Sequence, residues 1–130
     1  MEPGSRCIIS PLSIVEMESV LALKLRTGEI NRQQAEIARR GLRADLSRQR
    51  LLVSPPIRAT HYHTARLLLA EYGVAEGLRT LDALQLAIAL DLQQAGLISV
   101  LVTADQRLCR VATLAGCQAV NPEKPGAAGV

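Results

Sequence analysis

Leu97-Ile98-Ser99-Val100-Leu101-Val102-Thr103-Ala104-Asp105 is the stretch on which the fold class turns. Its first six residues form a near-continuous aliphatic run, the pattern of a parallel strand covered on both faces. It ends on an acid placed to open the next helix, which is predicted to run to about Ala115. Upstream, Thr80 is a candidate N-cap for a helix from Leu81 to Ala95 that is apolar on most sides and so belongs deep in the core, with Gly96 ending it. Downstream, Gly116 breaks the pattern and Cys117-Gln118-Ala119-Val120 reads as a short final strand.

The same alternation continues towards the N-terminus. Cys7-Ile8-Ile9 reads as a strand, Pro11 sits where a first helical turn tolerates it, and a helix follows to about Arg26, closed by Gly28. From Asn31 to about Gln49, Ala35, Ala38, Leu42 and Leu46 recur at helical spacing with charges between them. Arg50 to Ser54 resembles a strand stopped by Pro55-Pro56, and Thr60 to Tyr72 reads as a helix with Gly73 as its cap. Strands alternating with helices predict an α/β domain with a mainly parallel sheet. One domain is expected over residues 1–122, followed by a disordered tail over 123–130. In such sheets ligands collect outside the carboxyl ends of the strands, so residues just after a strand are the ones that matter.

Composition narrows the chemistry. The chain has 130 residues, 48% of them apolar, enough for one sizeable core. Trp and Phe are absent and only Tyr62 and Tyr72 are aromatic. A base-stacking platform is therefore excluded, and any nucleic acid would be held by its phosphates. The formal charge is only +3, yet Lys24, Arg26, Arg32, Arg39, Arg40, Arg43, Arg48 and Arg50 fall close together. Arg39, Arg40 and Arg43 are candidates for guiding an RNA backbone, since guanidinium pairs bidentately with phosphate; the plainer alternative is a solvated helix face. Cys7, Cys109 and Cys117 lack paired spacing, which argues against disulfides and zinc and for reduced, inert thiols. His61 and His63, two apart ahead of a helix, make a poor metal pair with no third soft ligand near them in sequence. With no secretory leader and no bilayer-length apolar run, a soluble cytoplasmic protein is expected.

Three acids stand in informative places: Glu16 early in the helix after the first strand, Asp82 in the first turn of the buried helix, and Asp105 directly after the aliphatic strand. Taken singly, Asp82 or Asp105 is ordinary helix-terminus chemistry. Brought together they would repel and raise one another's pKa unless a cation sat among them. Carboxylate ligation without paired His or Cys favours magnesium or manganese. Such an ion lowers the pKa of bound water and offsets charge on a phosphodiester, so the chemistry implied is metal-assisted phosphodiester hydrolysis.

The strings Ser10-Pro-Leu-Ser-Ile-Val-Glu16, Leu78-Arg79-Thr80-Leu81-Asp82-Ala83-Leu84 and Leu101-Val102-Thr103-Ala104-Asp105, closing with Gly116-Cys-Gln-Ala-Val-Asn121-Pro122, resemble the PIN domain of VapC-type toxins. The resemblance covers about Glu2 to Pro122. It implies a three-layer sandwich with a central mainly parallel sheet flanked by helices, and magnesium- or manganese-dependent endoribonuclease activity. It further implies a homodimer and neutralisation by a cognate antitoxin protein. Carried over by position, Glu16, Asp82 and Asp105 are metal ligands, Thr103 is the hydroxyl assisting near the metal, and Arg79 belongs to the same motif as a candidate substrate contact. The family's first acid stands on a strand that would precede Glu2, so the resemblance also predicts a chain short of that strand, with a central sheet position vacant and activity weak or absent. The alternative that this leaves is a catalytically inactive interaction module that dimerises or binds an antitoxin-like peptide.

Overall fold

A computed structural model describes residues 7–123. The Glu2–Ser5 loop, and residues 124–130 of the expected tail, lie outside the described residues. The elements run β1 (Cys7–Ile9), α1 (Pro11–Arg26), α2 (Arg32–Ser47), β2 (Leu51–Val53), α3 (Ala59–Glu76), α4 (Thr80–Gln94), β3 (Leu101–Val102), α5 (Gln106–Leu114) and β4 (Ala119–Val120). The fold is mixed α/β with short parallel sheets, the class that the alternation predicts. The strands pair in twos: β1 with β2 in the register Cys7↔Leu51 to Ile9↔Val53, and β3 with β4 in the register Leu101↔Ala119 and Val102↔Val120. The chain separates into two compact units, dividing between Pro56 and Ile57.

In the first unit both helices start on side-chain caps. Ser10 Oγ accepts the Ser13 N–H at 3.3 Å, with Pro11 as the first helical residue. Asn31 and Gln34 form a reciprocal capping box, with bonds of 2.8 and 2.9 Å. Helix α2 packs on β2 and on α1, with Leu21 and Ala35 buried.

The second unit is organised around α4, which buries Ala83, Leu84, Leu86, Ala87, Ile88, Ala89 and Leu92, as expected of a helix apolar on most sides. Helix α3 packs along it, and α5 packs on α3, α4 and β4. Leu86, Val111 and Cys117 are its largest fully buried side chains.

The boundaries depart from expectation at several points, and the cause is usually helix closure. Gly96 adopts φ +76° and donates to the Gln93 carbonyl, while Leu97 donates to the Leu92 carbonyl at 2.9 Å. This is a Schellman closure, so Leu97 belongs to the end of α4, not to a strand. The strand predicted over Leu97–Val102 is accordingly only Leu101–Val102, and Val102 is 54% exposed, not covered on both faces. The same closure ends α5, where the Cys117 N–H goes to the Ala112 carbonyl at 2.8 Å, so β4 begins at Ala119 instead of Cys117. It also ends α2, but there the left-handed residue is Gln49, at φ +58°. Gly73 is not a cap: α3 continues through it to Glu76, and Gly77 takes the left-handed position at φ +69°. Thr80 is the first helical residue of α4 and not its N-cap, because Arg79 is extended and its carbonyl accepts the Ala83 N–H at 2.9 Å.

Candidate functional site

The most closely tied of the expected site residues lie where β3 and β4 end. The Thr103 N–H donates to the Val120 carbonyl at 3.0 Å, carrying the parallel ladder one residue past β3. Thr103 Oγ1 then accepts the Asp105 N–H at 3.2 Å, which closes the chain into a tight turn. Asp105 is the N-cap of α5: its Oδ1 accepts the Arg107 N–H at 2.9 Å and the Leu108 N–H at 3.2 Å. Its Oδ2 accepts no hydrogen bond among the described residues, so half of the carboxylate stays available as a hard oxygen donor. The side chain of Asn121, itself buried, donates from Nδ2 to the Ala104 carbonyl at 3.3 Å and accepts the Glu123 N–H at 2.9 Å.

Cys109 closes this turn from the helix side, its Sγ–H donating to the Thr103 carbonyl at 3.5 Å. Burial, and after it the Asp105 carboxylate, push the Cys109 thiol above its ordinary pKa, and burial alone does so for Cys117. Both stay thiols near neutrality, in keeping with the inert role predicted for them.

Asp82 occupies the first turn of α4, where the positive end of the helix favours a carboxylate. Its side chain is only 18% exposed, and the exposed Arg79 places Nε 3.8 Å from Asp82 Oδ2. Glu16 lies in the second turn of α1, in the first unit, and is half-buried. Among the described residues no three His, Cys, Asp or Glu side chains are grouped to hold a metal ion. The donors that are present nonetheless suit a hard divalent cation, since they are carboxylate and hydroxyl oxygens with no thiolate beside them. Magnesium in particular is commonly held through one or two carboxylates, with water filling the remaining positions.

Within the basic run, Arg39, Arg40 and Arg43 are organised by two glutamates. Arg39 grips Glu18 of α1 through both arms, Nε to Oε1 at 2.8 Å and Nη2 to Oε2 at 3.1 Å. Glu36 collects Arg43 at 2.9 Å, Arg40 at 3.7 Å and Arg39 at 3.8 Å. The hydrogen bond from Arg39 holds the Glu18 carboxyl below its usual pKa, and the one from Arg43 does the same for Glu36. Nine basic side chains face six acidic ones up to Pro56, against six and six beyond it, so the excess positive charge belongs to the first unit. Three guanidiniums against the two carboxylates of Glu18 and Glu36 leave an excess of one positive charge, and Arg39 ties α1 to α2.

The two histidines part company. His63 is exposed, whereas His61, in the first turn of α3, is buried. Its Nδ1 accepts the Arg58 N–H at 3.0 Å, so the ring proton sits on Nε2, which donates to Asp91 Oδ2 at 2.8 Å. Arg58 Nη2 reaches the same oxygen at 3.0 Å. The His61 bond, and after it Arg58, lower the Asp91 pKa. This cluster caps α3 and locks it to α4, a structural task. No spacing rule pointed to it, because Asp91 is thirty residues from His61. Asn121 was likewise visible only as part of a closing motif; the signal was a polar amide between a strand and a proline.

Together these features define the class: an α/β protein of short parallel sheets with carboxylates set at helix N-termini. The chain belongs to the PIN domain family, whose profile matches residues 1–114, a span that contains Glu16, Asp82 and Asp105. PIN domains are in general nucleases that act on RNA and usually depend on a divalent metal ion. No curated protein and no solved structure matches the chain. No helix among the described residues is long and apolar enough to cross a membrane.

Proposed function

We propose that this PIN domain is a magnesium- or manganese-dependent endoribonuclease of the toxin–antitoxin type, with Glu16, Asp82 and Asp105 as its metal-holding carboxylates. The observation that carries it is Asp105. Its Oδ1 is spent on two backbone amides while its Oδ2 is left for a ligand, on a turn immobilised at the carboxyl ends of two parallel strands. When bound, the metal would supply an activated water and charge stabilisation at the phosphodiester. Thr103 holds the turn through its hydroxyl and so fixes where the Asp105 carboxylate stands. Arg79, exposed and beside Asp82, is suited to a substrate phosphate, as are Arg39, Arg40 and Arg43. A cytoplasmic homodimer neutralised by an antitoxin protein completes the proposal, and this part rests on family likeness alone.

The test is cleavage of single-stranded RNA by the whole protein, with manganese and with chelator, in wild type, Asp82→Asn and Asp105→Asn. Cleavage, which the resemblance makes weak, should need the metal and be lost in either variant. Cleavage that persists in chelator, or at the wild-type rate in both variants, rules the proposal out.

A further inference from the structure

We infer that Asn121 is a positioning residue for Asp105, which extends the proposed function by naming what holds one of its metal ligands in place. Asn121 follows β4, is 6% exposed, and uses both ends of its amide. Nδ2 holds the carbonyl of Ala104, the residue between Thr103 and Asp105, and Oδ1 holds the N–H of Glu123. The turn is therefore fastened at three successive points. Val120 takes the Thr103 N–H, the Cys109 thiol takes the Thr103 carbonyl, and Asn121 takes the Ala104 carbonyl.

Of these three, the Asn121 bond is the nearest to Asp105, because the Ala104 carbonyl belongs to the peptide whose nitrogen is that of Asp105. Rotating that peptide would turn the Asp105 N–H away from Thr103 Oγ1 and swing the carboxylate off the end of α5. No aliphatic residue at 121 could hold the peptide, and a shorter polar one would not span the gap. Asn is thus required here for its donor and its reach, not for bulk.

The first amides of a helix have no acceptor within the helix. Arg107 and Leu108 N–H are protected by Asp105 Oδ1, so their hydrogen exchange reports the carboxylate's position without any metal present. Exchange should be measured by NMR in wild type, Asn121→Leu and Asn121→Ser, with Val111 and Ala112 as references in the body of α5. Gln93→Ala serves as a control, because Gln93 makes a comparable side-chain bond to the Gly116 carbonyl at the far end of α5. Exchange at Arg107 and Leu108 should rise about tenfold relative to the references in both Asn121 variants and not in Gln93→Ala. Manganese affinity should fall about tenfold in the same two variants, the usual effect of losing a residue that orients a ligand. A uniform rise along α5 would mean ordinary loss of stability and would overturn the inference, as would unchanged exchange in either folded variant. If the wild type binds no manganese, the metal-dependent proposal fails while the exchange data still decide the role of Asn121.

Discussion

Consider Asp105→Asn and Asp105→Ala side by side. The carboxylate does one job already visible, capping α5 through Oδ1, and is proposed to do a second, metal ligation through Oδ2. Asparagine keeps a carbonyl oxygen where Oδ1 stands and caps as well as aspartate, so it should cost only the charge at the helix end, roughly 0.3–1 kcal/mol. Alanine leaves two amide hydrogens without a partner, one of them on buried Leu108, and should cost about 1–2 kcal/mol. For a chain of this size 1 kcal/mol corresponds to roughly 3–5 °C in Tm, so the alanine variant should melt several degrees below the asparagine one. Differential scanning calorimetry with and without manganese separates the two jobs. The metal should raise the wild-type Tm by mass action and should have little effect on either variant. A full manganese-induced rise in Asp105→Asn would remove Asp105 from the metal site. Equal Tm values for the two variants would refute the capping argument.

Three further outcomes are expected. RNA binding should become less salt-dependent in the double variant Arg40→Gln and Arg43→Gln, the slope of log K against log salt falling by about 1.4 for two contacts to a single strand; an unaltered slope would take α2 out of the RNA path. Asp91 has its folded pKa lowered by His61 and Arg58, so its contribution to stability is present above the ordinary aspartate range near pH 4 and is lost as pH falls through the lower folded value. Acid unfolding followed by circular dichroism should therefore be shallower in Asp91→Asn over that interval, and an identical pH profile would count against the tie. Gln49 occupies the left-handed position that glycine takes at Gly96 and Gly116, so Gln49→Gly should stabilise the protein by up to about 1 kcal/mol; a lower Tm would show that no strain was stored there.

Much of the fold was legible because it is written in local chemistry. Ser10-Pro11 and Asn31 to Gln34 announce helix starts through caps that need only neighbours three residues away. The aliphatic character of Leu84 to Leu92 announced a buried helix because no amphipathic face was left to meet water. The acids Asp82 and Asp105 stood out by place, one in the first turn of the buried helix and the other directly after the aliphatic run, and Asp105 is the N-cap of α5.

Strand extent was not legible, since Leu97 and Cys117 are as apolar as strand residues and are claimed instead by the closures of α4 and α5. The pairing of His61 with Asp91, of Arg39 with Glu18, and of Asn121 with Ala104 was hidden as well. By itself, the sequence determined the α/β class, the helix starts at Pro11 and Asn31 and the acids worth testing, because each depends on residues a few positions apart. Only the tertiary structure decided which oxygen of Asp105 caps α5 and what holds its turn, because those depend on chain segments that meet in space and leave no periodic trace in the sequence.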